Sequence, residues 1–202
     1  MSVAPPTGDD THGGLVVVRE GFAQVGAGFG NGGDPTTVDP GMLLDEIPLT
    51  TLDGRQTTFG AYADKVRLVV NVASRCGLAP QYEKLEQLQR TYGDRGFTVL
   101  GFPSSQFLQE LGSDDAIAEY CSTTWGVTFP MFARTKVNGR SRHPLYAELT
   151  KTPDATGKAG RVQWNFEKFV VTPDGAVHRF RPRTEPDDPE IVDLISASLP
   201  TR

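Results

Sequence analysis

The sequence predicts an α/β fold: a mixed central sheet with helices on both faces, preceded by a small β-hairpin. Three observations carry that expectation. VRLVVNVA at 66–73 is a near-continuous apolar run, which suits a central strand buried on both faces. A segment of helical spacing follows, and a second apolar run, FTVLGF at 97–102, completes a β-α-β unit. Beyond it, a helix, a further strand, a strand-turn-strand pattern and a last helix give the order ββ, β-α-β-α, β, ββ, α, one short helix aside.

Each element has its own local reason. Residues 1–41 are rich in Gly, Pro, Asp and Thr and show no sustained period, so they are expected to be a flexible extension ahead of a domain spanning 42–202. IPLTTLDGRQTTF, from Ile47, places two short alternating segments around Asp53-Gly54, a dipeptide favoured in tight hairpin turns. Tyr82, Leu85, Leu88 and Tyr92 recur at three- and four-residue steps, with Gly93 at the expected helix stop. Ser113 followed by Asp114 and Asp115 is a capped, acid-first start to a helix through Ile117, Tyr120 and Cys121. FPMFARTKV at 129–137 is expected to be a strand ending at Asn138-Gly139, with the short helix HPLYAEL after it. Two strands flank Pro173-Asp174-Gly175, and Pro189 to Leu199 forms the last helix. This order is that of a thioredoxin-like sandwich.

Composition narrows the function. The 202 residues carry a net charge of -5 and a pI of about 5.2, which leaves no basic excess for nucleic acid or an anionic membrane surface. No run approaches the ~20 apolar residues of a membrane span, and the N-terminus has no apolar signal core, so the expectation is a cytoplasmic protein. His12, His143 and His178 are scattered without ligand spacing to the cysteines, so no metal or other cofactor is expected.

Two cysteines remain, Cys76 and Cys121. Cys76 follows the first apolar run directly, where a strand hands over to a helix. A thiol there lies among backbone N–H groups at the positive helix end, and Arg75 adds a neighbouring cation; both favour the charged sulfur that acts as a nucleophile. The alternative is a small buried apolar residue. Ala79 stands where dithiol oxidoreductases have a second cysteine, so oxidation at Cys76 leads to a sulfenic acid resolved by a distant or external thiol.

Six blocks, NVASRCGLAPQYEKLEQL, GFPSSQFLQELGSDDAIAEYC, VTFPMF, VNG, HPLY and WNFEKFVV, resemble the glutathione peroxidase family, on its cysteine-containing side, from about Leu43 to the C-terminus. The resemblance implies a hydroperoxide-reducing enzyme in which Cys76 is assisted by a glutamine, Trp164 and Asn165. The usual pattern is FPCNQF, two residues, then QEP; FPSSQFLQEL has one residue fewer between its glutamines. Anchoring on Gln-Glu makes Gln109 the match, with Gln106 the alternative. Neutral amide and indole N–H groups suit such a site, because they hold a thiolate and a peroxide oxygen without giving the sulfur a proton.

The segment around Cys121 resembles the resolving-cysteine segment of thioredoxin-dependent members, and Ser104 replaces a further cysteine of many relatives. The implied cycle oxidises Cys76, melts the Cys121 helix, forms a disulfide and ends with reduction by a thioredoxin-like protein or glutathione. Ser122, Thr123, Thr124 and Gly126 are poor helix formers that make such opening inexpensive. The resemblance also implies a monomer or weak dimer, because the stretch between Leu145 and Phe166 lacks the longer insertion associated with tetrameric, glutathione-using relatives. Two rivals stand beside this reading: a Cys-His hydrolase using His143 or His178, which leaves Gln109, Trp164 and Asn165 without a role, and a peroxide sensor that relays its disulfide to a partner protein.

Overall fold

The computed structural model describes residues 43–201, so the flexible extension expected at 1–41 lies outside the described residues. A four-stranded sheet has the order β4-β3-β5-β6, where β3 is Val66–Val72, β4 Phe97–Pro103, β5 Lys168–Val171 and β6 Val177–Phe180. β3 pairs in parallel with β4 and antiparallel with β5, so the sheet is mixed as expected. A separate hairpin, β1 (Pro48–Thr50) and β2 (Gln56–Thr58), turns at Asp53-Gly54, with Gly54 at φ 85. The helices are α1 (Gln81–Tyr92), α2 (Asp114–Trp125), α3 (Pro144–Leu149) and α4 (Pro189–Ser198).

The alternation of β3 sorts these helices onto two faces. Leu68, Val70 and Val72 pack with Tyr82 and Leu85 of α1, Ile117 of α2, and Ile191 and Ile195 of α4. Val69 belongs to the other side, where Phe102, Phe169 and Val171 meet Leu145, Tyr146 and Leu149 of α3 and Leu49 of the hairpin. Every residue of β3 and β4 is buried, which is why both read as near-continuous apolar runs, with Arg67 and Asn71 as the polar exceptions in β3. Each large aliphatic or aromatic side chain so placed contributes about 1.5–3 kcal/mol.

The strand expected at 129–137 does not form. Met131 and Phe132 make single bridges, one parallel to Gly101 and one antiparallel to Thr51. Pro130 lacks an N–H and so cannot support a ladder on both sides. Its carbonyl accepts from Gly101 N–H at 3.0 Å, and Ala133 N–H then turns to Thr50 O at 2.9 Å. The segment therefore ties the hairpin to the edge of β4. A Cβ on Gly101 would lie 2.4 Å from the Met131 sulfur, so any larger residue there would force that side chain to shift. The stop of α1 also differs from expectation: Gly93 stays right-handed, and a single tight turn carries the chain to Gly96 at φ 90.

Candidate active site

β3 carries the chain to Cys76, but the sulfur does not sit on the first turn of α1. Residues 77–80 form a separate turn, closed by Ala79 N–H donating to Cys76 O at 2.9 Å, and α1 begins at Gln81. The N–H that reaches the sulfur belongs to that turn: Leu78 donates to Cys76 Sγ at 3.4 Å. Cys76 is 6% exposed, whereas Arg75 is exposed to solvent.

Long-range hydrogen bonds join three segments around this turn. Arg75 N–H donates to Gln109 O at 2.8 Å, and Ser74 N–H donates to the Glu110 carboxylate at 3.0 Å. Asn71 of β3 donates to Trp164 O at 3.0 Å and accepts from Phe166 N–H at 2.6 Å. Asn165 Nδ2 then donates to Gln109 Oε1 at 3.0 Å. That bond uses the amide oxygen, so the Gln109 Nε2 donors, like the Trp164 indole N–H, are left without a hydrogen-bond partner among the described residues. Among the described residues none of these three side chains hydrogen-bonds the sulfur itself.

The structure separates the two glutamines. Gln106 clamps another loop, accepting from Val137 and Asn138 N–H at 2.6 and 2.8 Å and donating to Asn138 O at 3.1 Å. Leu108, between them, takes the left-handed conformation at φ 59 and stands 94% exposed. A single residue in that unusual conformation reverses the chain after the turn at Ser105–Phe107 and brings Gln109 to Asn165, which is how the shortened loop still reaches.

Trp164 is half-exposed, lies 5.1 Å from the Phe107 ring centroid, and lines a half-open cavity of about 590 Å³ with Leu78, Pro182 and Arg183. Asn71 and Glu110 were not among the residues expected from sequence. A lone amide inside an apolar strand was the available signal for Asn71. Burial pushes the Glu110 carboxyl up from its ordinary range, opposed by hydrogen bonds from Ser74 and the Leu111 N–H.

Cys121 lies on the buried face of α2, 3% exposed, and shares a core cluster with Cys76; both thiols are free. Burial pushes the Cys121 thiol up to about 11, with the Tyr82 hydroxyl opposing and Glu110 adding to the rise. While α2 is folded, this sulfur is a protonated, enclosed thiol and a poor nucleophile. His143 caps α3 by accepting from Leu145 N–H at 3.2 Å, so it has a structural task, and His178 is exposed on β6. No group of three or more His, Cys, Asp or Glu side chains is arranged for a metal among the described residues.

A thiol beneath a turn N–H, at the end of a central strand and ahead of a helix on one face of a mixed sheet, defines a thiol-based oxidoreductase of thioredoxin-like fold. The chain belongs to the glutathione peroxidase family, whose model matches residues 44–150, just over half of its length. It is 48% identical over 169 residues to the thioredoxin/glutathione peroxidase BtuE of Escherichia coli, covering 73% of this chain and 92% of that one. The hydroperoxy fatty acid reductase gpx1 of Synechocystis is 44% identical over 144 residues, covering 68% and 85%. The crystal structure of T. cruzi GPX1 superposes with a TM-score of 0.60 at 28% identity, covering 76% of this chain and 94% of that one.

Proposed function

We propose that residues 42–202 form one peroxidase domain in which Cys76 is the peroxide-reducing sulfur. The protein is a thiol peroxidase that reduces hydroperoxides. The thiolate attacks one peroxide oxygen, the O–O bond breaks, and the sulfur leaves as a sulfenic acid while the departing alkoxide or hydroxide takes a proton to become alcohol or water. Gln109 Nε2 and the Trp164 N–H are the donors for the oxygen that gains charge, and Asn165 orients the glutamine. Removing one such donor costs about 2.7–4 kcal/mol in comparable sites. The observation that carries this reading is the Asn165–Gln109 bond beside the Cys76 turn, because it holds the glutamine by its oxygen and leaves the Nε2 donors without a partner among the described residues.

Cys121 is the resolving thiol. Its attack on the sulfenic sulfur expels water and leaves a disulfide, which a dithiol reductant of the thioredoxin type, or glutathione, returns to two thiols. Support comes from the burial of Cys121 in a helix rich in exposed Ser and Thr, since only local opening frees it to react. No described helix is long and apolar enough to cross a membrane; the free cysteines suit a reducing, cytoplasmic setting, and the short stretch between Leu145 and Phe166 supports a monomer or weak dimer. Peroxide turnover of the parent, Cys76→Ser and Cys121→Ser tests the scheme. Cys76→Ser is expected to be inactive, and Cys121→Ser to lose the thioredoxin-linked rate alone. Peroxide treatment of the parent should yield a Cys76–Cys121 crosslinked peptide by mass spectrometry, and a parent that keeps two free thiols sinks the cycle.

A further inference from the structure

We propose that Lys168 is a positioning residue for peroxide attack: its Nζ clamps the Trp164–Asn165–Phe166 turn to the Pro182 segment and so sets where the indole and amide donors stand. The inference rests on the reading of Trp164 and Asn165 given above. Lys168 opens β5 between Val70 of β3 and Phe180 of β6, and its side chain is wholly buried. Nζ donates to Phe166 O at 2.6 Å and to Pro182 O at 3.3 Å. Pro182 O accepts a second bond, from Gln81 Nε2 at the start of α1, at 2.9 Å. One lysine thus links the donor turn, the cavity wall and the helix that follows Cys76.

The turn needs such a clamp. Phe166 takes the left-handed conformation at φ 65, strained for a bulky residue, and persists there because its surroundings over-determine it. Asn71 holds the turn at Trp164 O and Phe166 N–H; Lys168 holds the remaining carbonyl of Phe166. A buried cation would ordinarily be satisfied by a carboxylate. Here Glu167 is committed to Arg179 and Arg181, at 2.6 and 2.7 Å, and Lys168 spends its hydrogen bonds on two backbone carbonyls instead. Burial pulls its amine down to about 7, with Glu185 and Glu167 opposing. A group this expensive to bury is better explained by placement of the turn than by stability alone.

Ping-pong kinetics on the full chain separate positioning from folding. Lys168→Met keeps the length of the side chain and removes every donor; kcat/KM for hydrogen peroxide should fall about 10- to 100-fold, as expected for a slight misplacement of reacting groups. kcat/KM for reduced thioredoxin should stay within about twofold, because that half-reaction uses the disulfide. An unchanged peroxide rate, or two rates that fall together, overturns the proposal. If Lys168→Met does not fold, Lys168→Gln is judged by the same criteria. A second readout is independent of activity: with Trp125→Phe leaving Trp164 as the single indole, acrylamide quenching should strengthen on Lys168→Met. An inactive parent whose quenching still responds removes the peroxidase reading and leaves the clamp, whereas unchanged quenching removes the clamp whatever the activity.

Discussion

α1 and α2 are each twelve residues long and pack on the same face of the sheet, yet they are held by different amounts of core. α1 buries Gln81, Tyr82, Leu85, Glu86 and Leu88; α2 buries Ile117 and Cys121 alone. α1 also reaches beyond itself, because Glu86 accepts from Thr128 N–H and Oγ1 at 2.8 and 2.9 Å. What holds the far end of α2 is the stack of Trp125 on Tyr82, with ring centroids 6.1 Å apart. The difference teaches why one cysteine stands on a fixed support and the other on a segment that can open: local stability follows the number of buried apolar contacts, not helix length.

The largest effect expected from this comparison is on the α1 side. Leu85→Ala should cost about 2–5 kcal/mol, read by urea denaturation, because the surrounding core collapses only partly into the space left. Native-state hydrogen exchange should show the amides of α2 opening below the global unfolding free energy, while those of α1 exchange only with it. Equal protection of the two helices would break the comparison.

A pH effect sharpens it. Cys121 keeps its proton up to about 11 in the folded chain, against an ordinary 9.0 when unfolded. Between those values unfolding releases a proton, so this thiol makes stability fall as pH rises through that window. Lys168 acts the other way: folded, it loses its proton near 7, against an ordinary 10.5, so unfolding takes up a proton between them and stability rises with pH. Stability measured by denaturation should therefore climb above pH 7 and level off between about 9 and 10.5, where the two effects cancel, and Cys121→Ser should let the climb continue through that window.

The smallest effect is on α2 itself. Ser122→Ala and Thr124→Ala are exposed, and each should stabilise the helix by about 0.5 kcal/mol through propensity alone. Together they should slow formation of the Cys76–Cys121 disulfide about fivefold, followed by loss of free thiol after a peroxide pulse. An unchanged rate would mean that opening of α2 does not limit the step.

Much of this was legible in the chain. The apolar runs of β3 and β4, the spacing of Tyr82, Leu85 and Leu88, and the Ser113 cap, which accepts from Ala116 N–H at 3.2 Å, all act over a few neighbouring residues, and all formed as expected. The segment at 129–137 misled because Pro130 sits in an otherwise strand-like pattern and the bridging partners lie on two different elements. Lys168 gave no local signal, since a lysine in an apolar strand looks like an edge residue until the strand order places it between β3 and β6.

Periodicity, capping residues and turn dipeptides thus determined by themselves that β3 would lead to a cysteine ahead of a helix on a mixed sheet. Only the tertiary structure decided that Gln109 rather than Gln106 meets Asn165, that Leu108 takes up the shortened loop, and that Asn71 and Lys168 hold the Trp164 turn. The reason is distance along the chain. Gln109 and Asn165 are 56 positions apart, and which side chains meet across such a gap depends on the order β4-β3-β5, which no local pattern encodes.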